Sequence, residues 1–367
     1  MSDSSPLPAR RDPPRRILLI RPSSLGDVVR TAPAAASLRH AFPDATIDWV
    51  VAEPFIPAVK HHPAINRIIP FPRAAIGNHL RRLQLKPIRE WLATLMASDD
   101  GHPYDLAIDL QGLFRSGLMA RATHAPRKVG FADAREGGWL FYNERIRVAR
   151  GLSHIDRDVE LLRAIYVPPS SDDQGRSPDL RLYPGDEARD FAHSDDRLKA
   201  KRFIVLAPTT RGAGRAWPMD RYAELARRLL SAHAHHLVLV GAANERLACA
   251  PLLHAARHDK RVIDLVGATD ILKWMAVIQR ADLVVCNDSA AMHVAAAFHR
   301  PMVALMGPTR PERSGPYRRP HDAISKLKHN EHVRHRDAAR AADIMRRITV
   351  DEVVQTCAER LEQQRTT

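Results

Sequence analysis

Short apolar runs joined by helix-length segments recur along this chain, and that alternation constrains its fold more than any other feature. "RILLIR" (16–21), "TIDWVVA" (46–52), "INRIIPF" (65–71) and "YDLAIDLQG" (104–112) read as strands. "DVVRTAPAAASLRHAF" reads as a helix that Pro33 kinks or cuts to an early turn. "AIGNHLRRLQLKPIREWLATLMAS" reads as a long helix broken near Pro87, and "DVELLRAIY" closes this half as another helix. A stretch rich in Pro, Ser, Asp and Gly follows, "VPPSSDDQGRSPDLRLYPGD" (167–186), which is linker composition. The alternation then restarts with "RFIVLAP" (202–208) and continues through "HLVLVG", "VIDLVG", "DLVVCN" and "PMVALMG", with helical segments between. The units repeat roughly every 25–35 residues, a spacing that implies parallel sheets covered by helices on both faces.

The expected architecture is therefore α/β, with two doubly wound, Rossmann-like domains facing across a cleft. Residues 1–15 read as a disordered tail and 16–166 as the first domain. Residues 167–200 read as a linker, 201–335 as the second domain, and 336–367 as C-terminal helices crossing back to the first. Ligands of such sheets bind beyond the carboxyl ends of the strands. The polar, Pro-rich start lacks the apolar core of a secretory signal, and no run reaches the roughly 18 apolar residues of a membrane helix. Three cysteines without CxxC spacing fit a reducing, cytoplasmic setting.

Lys and Arg number 56 against 42 Asp and Glu, a formal net charge of +14 that favours anionic partners. Aromatics make up only 5% of residues and do not interleave with the basic runs, which argues against a nucleic-acid groove built on stacking. No G-x-G-x-x-G and no G-x-x-x-x-G-K-[ST] follows a strand, so the usual dinucleotide and P-loop cradles are missing. No H-E-x-x-H occurs, and "HAHH" (233–236) reads as a solvated helix end, so no metal site is expected.

Three loops at strand ends concentrate the chemistry. "SSLGDVVRTAP" (23–33) puts Gly26 and Asp27 where a strand turns into a helix. Its small residues let a ligand approach the backbone, and Asp27 suits either a helix cap or a reactive carboxylate. "APTTRGAGRAWPMDRY" (207–222) gathers Thr209, Thr210, Arg211 and Arg215, hydroxyls and guanidiniums suited to a diphosphate. "CNDSAAMHVAAAFHRPMVALMGPTRPERSGPY" (286–317) places Asp288 and Ser289 before a helix of small residues, with Ala290 in its first turn and His293 one turn further. That helix start can direct N–H groups at an anion.

These loops, in this order, together with "YDLAIDLQGLFRSG" and "GWLFYNERI", resemble the ADP-heptose:lipopolysaccharide heptosyltransferases of glycosyltransferase family 9. The likeness runs over roughly residues 16–320 and sits nearer the first-acting than the second-acting members. It implies the GT-B fold and an inverting, metal-independent transfer of heptose from ADP-heptose to the Kdo/heptose inner core of lipopolysaccharide. ADP-heptose is then a substrate, and no cofactor is expected. By the same resemblance Asp27 is the general base. Gly26, Thr209, Thr210, Arg211, Arg215, Asp288, Ser289, Ala290 and His293 would hold the donor. Relatives often carry Lys where this chain has Arg215, and Gly where it has Ala290 or Ala291. Arg115, Arg135 and Arg145 would meet the anionic acceptor. Arg81, Arg82 and Lys86 suit either a solvated helix face or the cytoplasmic leaflet of the inner membrane, the second making the cytoplasmic protein peripheral. Two other readings share the architecture: a relative moving another nucleotide-activated sugar to a different glycan, and a sugar-nucleotide epimerase.

Overall fold

The computed structural model describes residues 12–165, 178–212, 214–333 and 337–366. The first domain holds β1 (Arg16–Ile20), β2 (Thr46–Ala52), β3 (Arg67–Phe71), β4 (Leu106–Asp109), β5 (Arg127–Phe131) and β6 (Glu144–Ile146). The second holds β7 (Phe203–Ala207), β8 (His236–Leu239), β9 (Val262–Asp264), β10 (Leu283–Asn287), β11 (Met302–Met306) and β12 (Ala323–Ser325). The helices of the first half are α1 (Leu25–Ala41), α2 (Arg73–Arg81), α3 (Leu85–Ala93), α4 (Phe114–Ala122) and α5 (His154–Ile165). Those of the second are α6 (Asp186–Ser194), α7 (Met219–Ala232), α8 (Ala250–Ala256), α9 (Ile271–Arg280), α10 (Ala290–Ala297), α11 (Pro311–Ser314), α12 (Ala338–Arg346) and α13 (Val350–Thr366).

The sheets run β3-β2-β1-β4-β5-β6 and β12-β11-β10-β7-β8-β9, and every pairing is parallel. Both have the same doubly wound order, with the direction of winding reversing between β1 and β4 and between β7 and β10. The apolar runs sit here because both faces of a central parallel strand are covered: β7, β10 and β11 are buried along their whole length. The switch points set the position of α1 and α10, the helices that leave β1 and β10.

Those two helices also join the domains. Val28, Ala34, Ala35 and Leu38 of α1 belong to the first core, whereas Val29 and Ala32 pack into the second domain's core with Ala291, Met292 and Ala295 of α10. Further ties cross the seam. The Tyr317 hydroxyl donates to Asp156 Oδ1 at 2.7 Å, and the Arg211 guanidinium lies 4.7 Å from the centre of the Phe55 ring.

Several local expectations need correction. α1 runs on through Pro33, so the proline does not cut it to an early turn. Pro87 does not break a helix but sits in the first turn of α3, where its missing N–H costs nothing. The break falls at 82–84, where Leu83 takes a left-handed φ of 55°. "HAHH" is not a solvated helix end: His235 is buried, and His236 begins β8. Of the expected linker, 167–177 lies outside the described residues. The remainder carries α6 and buries Leu182, Ala188, Ala192 and Leu198 in the second core. Residues 1–11 of the expected tail also lie outside the described residues. The last helix does not return to the first sheet. Val353, Cys357 and Leu361 of α13 pack with Leu225, Leu229, Val285 and Val303, because the apolar stripe of α13 completes the helix layer over the second sheet.

Candidate functional site

The N-termini of α1 and α10 meet across the seam and border a cavity of about 690 Å³. It is lined from the first domain by Ser24, Leu25, Gly26, Asp27, Arg30 and His154. Thr209, Thr210, Arg211, Arg215, Asp288, Ser289, Ala290 and His293 line it from the second. The structure thus gathers Asp27 and every residue expected at the donor, from three loops far apart in the chain.

Asp27 is the third residue of α1, behind the N-cap Ser24. Its Oδ2 accepts the Ser24 N–H at 2.7 Å and the Ser24 hydroxyl at 3.0 Å. Its Oδ1 pairs with Arg30, one turn along the helix. Burial pushes this carboxyl up, but the Arg30 and Arg21 guanidiniums and the Ser24 N–H outweigh burial and hold it at about 2. Arg21 lies beneath, fixed by Asp158 at 3.1 Å, by the Thr31 hydroxyl at 3.1 Å and by the Leu110 carbonyl. Arg30 is 14% exposed, and its buried Nε has no hydrogen-bond partner among the described residues. His154, at the start of α5, is depressed to about 3 by burial and by the Arg30 and Arg21 charges. His293 is depressed to about 4 by burial and by Arg30. Both imidazoles are therefore neutral near pH 7.

Gly26 has a role that its place in a loop did not reveal. A Cβ there would lie 3.2 Å from His293 Cδ2 and 3.7 Å from Ala290 Cα. The missing side chain admits the facing helix as well as bordering the cavity. Ala290 in turn presses against Gly26.

The opposite wall is built by hydrogen bonds between loops. Asn287, fully buried at the end of β10, accepts the Trp217 N–H at 3.0 Å and donates to the Pro208 carbonyl at 2.6 Å. This pins both ends of the 208–217 loop. The Thr210 hydroxyl donates to the Asp288 carbonyl at 2.9 Å, and the Thr309 hydroxyl to Asp288 Oδ2 at 2.6 Å. Arg215 stands 3.9 Å from the same carboxylate. Its side chain folds over Gly212, where a Cβ would come within 2.3 Å of Arg215 Cδ. Arg211 borders the cavity while stacked on Phe55, so it holds the seam as well as adding charge. Two helix N-termini and the guanidiniums of Arg30, Arg211 and Arg215 border the cavity together with the carboxylates of Asp27, Glu245, Asp270 and Asp288, and the cationic side of this mixed lining suits an anionic group.

Sequence reasoning missed Arg30 and His154, and it missed the rest of the cavity's lining, Val240, Gly241, Asn244, Glu245, Thr269, Ile271 and Trp274, which follows β8 and β9. The i, i+3 spacing of Arg30 from Asp27 was the one available signal. Arg115, Arg135 and Arg145 are not among the cavity's lining residues. Arg115 is on α4, and exposed Arg135 follows β5. Arg145 is on β6 with its guanidinium 4.9 Å from the Trp139 ring centre. Among the described residues, no three His, Cys, Asp or Glu side chains are grouped to hold a metal ion. No described helix is long and apolar enough to cross a membrane.

Known proteins resemble this chain in sequence and fold. Lipopolysaccharide heptosyltransferase 1 of Salmonella typhimurium is 29% identical over 314 residues, 82% of this chain and 91% of that protein. The Escherichia coli K12 protein of the same description is 28% identical over 311 residues, 82% of this chain and 91% of its own length. The solved structure of E. coli heptosyltransferase WaaC with ADP superposes with a TM-score of 0.69 at 25% identity, over 95% of this chain and 98% of that one. E. coli ADP-heptose lps heptosyltransferase II gives a TM-score of 0.76 at 24% identity, over 95% and 99%. The paired sheets are those of the GT-B fold. The profile of glycosyltransferase family 9 (heptosyltransferase) matches residues 100–342, a span that includes both cavity-lining loops at 207–222 and 286–317. By that match and the shared fold, this chain is a glycosyltransferase and belongs to family 9, the heptosyltransferases.

Proposed function

We propose that this enzyme transfers heptose from ADP-heptose to the anionic Kdo/heptose inner core of lipopolysaccharide, with inversion and without a metal. One observation carries the reading: an ionised acid on one domain shares a single cavity with hydroxyls, guanidiniums and a helix N-terminus on the other. In this reading the diphosphate lies against the N-terminus of α10, with Thr209, Thr210 and Arg215 around it and Ser289 and Ala290 offering backbone N–H groups. The part of the cavity bordered by Trp274 and Asn244 takes the adenosine. Asp288, oriented by Thr309, stays near the sugar or ribose hydroxyls.

The acceptor hydroxyl attacks the anomeric carbon as the bond to the diphosphate breaks. Asp27 accepts the hydroxyl proton, and ADP leaves with the bonding electrons. A carboxylate held at about 2 is a weak base. The attacking oxygen, however, becomes far more acidic as its bond to carbon forms, so a weak, well-placed base suffices late in the step. The cradle's donors take up the charge that grows on the leaving diphosphate.

Incubating the purified enzyme with ADP-heptose and Kdo-bearing lipid A tests the proposal. Heptose on the lipid, with ADP released, is expected. Turnover of only a different nucleotide sugar would move the enzyme to another acceptor pathway. A changed sugar nucleotide formed without acceptor would make it an epimerase.

A further inference from the structure

The cavity leaves one surface of the first domain unexplained. α2, α3, α4 and the short turn at Gly138–Phe141 all follow the carboxyl ends of β3, β4 and β5, the edge at which Asp27 also lies. Neither α2 nor α3 has a buried residue. Ile76, Trp91 and Leu92 tether the pair to the first core, and Trp91 Nε1 donates to the Pro70 carbonyl at 2.9 Å. At the connection, Leu80, Leu83 and Leu85 point away, 54%, 84% and 52% exposed. Leu83 stands out twice. It is the most exposed of the three, and it occupies a left-handed φ of 55° at which glycine would be less strained. Nothing in the fold of the domain calls for leucine there.

Charge surrounds these leucines. Between residues 73 and 90 the chain carries Arg73, Arg81, Arg82, Lys86 and Arg89 against the single acid Glu90. The face continues over α4 and the 138–141 turn, which add exposed Phe114, Trp139 and Leu140. The Nε of Arg115 is buried there without a hydrogen-bond partner among the described residues. Leucines and a tryptophan set among arginines are the composition of a surface that lies in the headgroup region of an anionic bilayer.

We propose that the α2–α3 connection docks this enzyme on an anionic membrane, with Leu80, Leu83 and Leu85 entering the leaflet and the surrounding arginines on lipid phosphates. This orients the carboxyl edge of the first sheet, and with it Asp27, toward a membrane-borne substrate. The proposal does not depend on which sugar is transferred.

The test is co-sedimentation of the full chain with phosphatidylcholine vesicles and with vesicles that also contain phosphatidylglycerol. Wild type is expected to sediment with the anionic vesicles only. Leu83→Gly, which relieves the backbone, should fold at least as stably and lose roughly fivefold or more in partitioning. Arg81→Gln with Arg82→Gln should lose roughly tenfold or more. Both should keep wild-type turnover on a water-soluble, deacylated acceptor, a readout that follows the transfer chemistry and not the docking. Absence of wild-type binding to the anionic vesicles would overturn the proposal, as would Leu83→Gly binding like wild type. So would light scattering showing that Leu83→Gly abolishes self-association while vesicle binding persists.

Discussion

Two strand-to-helix turns face each other across the cavity, and locally they are near copies: a parallel strand, small residues, an aspartate, a helix. Their aspartates nevertheless have different surroundings. Asp27 lies inside the first turn of α1, caps its own helix through Ser24, and is covered by Arg30 and Arg21. Asp288 precedes its helix and is held by neighbouring loops, through Thr309 and near Arg215. The first is a fixed, ionised group that lines the cavity with its side chain 24% exposed. The second is one member of a hydrogen-bonded cradle. Equivalent positions in two similar sheets take different roles because of what the rest of the fold lays against each.

The comparison can be broken most sharply at Asp27. Asp27→Asn keeps the size and the cap but removes the base. Turnover should fall by about 10²–10⁴-fold while ADP affinity, measured by calorimetry, stays within about twofold. Retained turnover would reduce Asp27 to a cap. On the opposite side, Arg215→Ala should cost on the order of 10–100-fold in ADP affinity, the range for a lost charge-assisted contact, and unchanged affinity would remove Arg215 from the cradle.

The contact between the turns is tested by Gly26→Val. Its side chain would enter the space occupied by His293 and Ala290, with an expected loss of about 1–3 kcal/mol in thermal or denaturant stability. An unchanged melting temperature would show that the seam is looser than drawn.

A last expected effect is in acid. His154 and His293 bind protons less readily folded than unfolded, being depressed from 6.5 to about 3 and about 4. Below pH 6.5 the unfolded chain therefore holds more protons, and stability falls with pH until the folded values are passed. Melting curves from pH 7 to 4 should show this decline, and it should be shallower in His154→Gln. Equal slopes would mean that burial and the cations of the seam do not hold His154 neutral.

Much of this was legible along the chain. The alternation of apolar runs and helices determined two parallel α/β domains, because strand and helix periods are local and a buried parallel strand must be apolar throughout. The loop residues at the strand ends were legible as a cluster too, since small residues, hydroxyls and arginines next to a helix start suit an anion, although the fold also uses Gly26, Thr210 and Arg211 to hold its parts together. The resemblance carried by those motifs supplied the family. What only the tertiary structure decided lies between distant segments. It decided that Gly26 admits a facing helix, that Arg211 stacks on Phe55, and that α13 stays with the second sheet. It also placed Arg115, Arg135 and Arg145 off the cavity. Asp27 shows the division most clearly: its place at a helix start was written in five neighbouring letters. Its ionisation depends instead on burial and on Arg21, held by Asp158 some 130 residues along the chain, and electrostatic fields follow distance in space rather than in sequence.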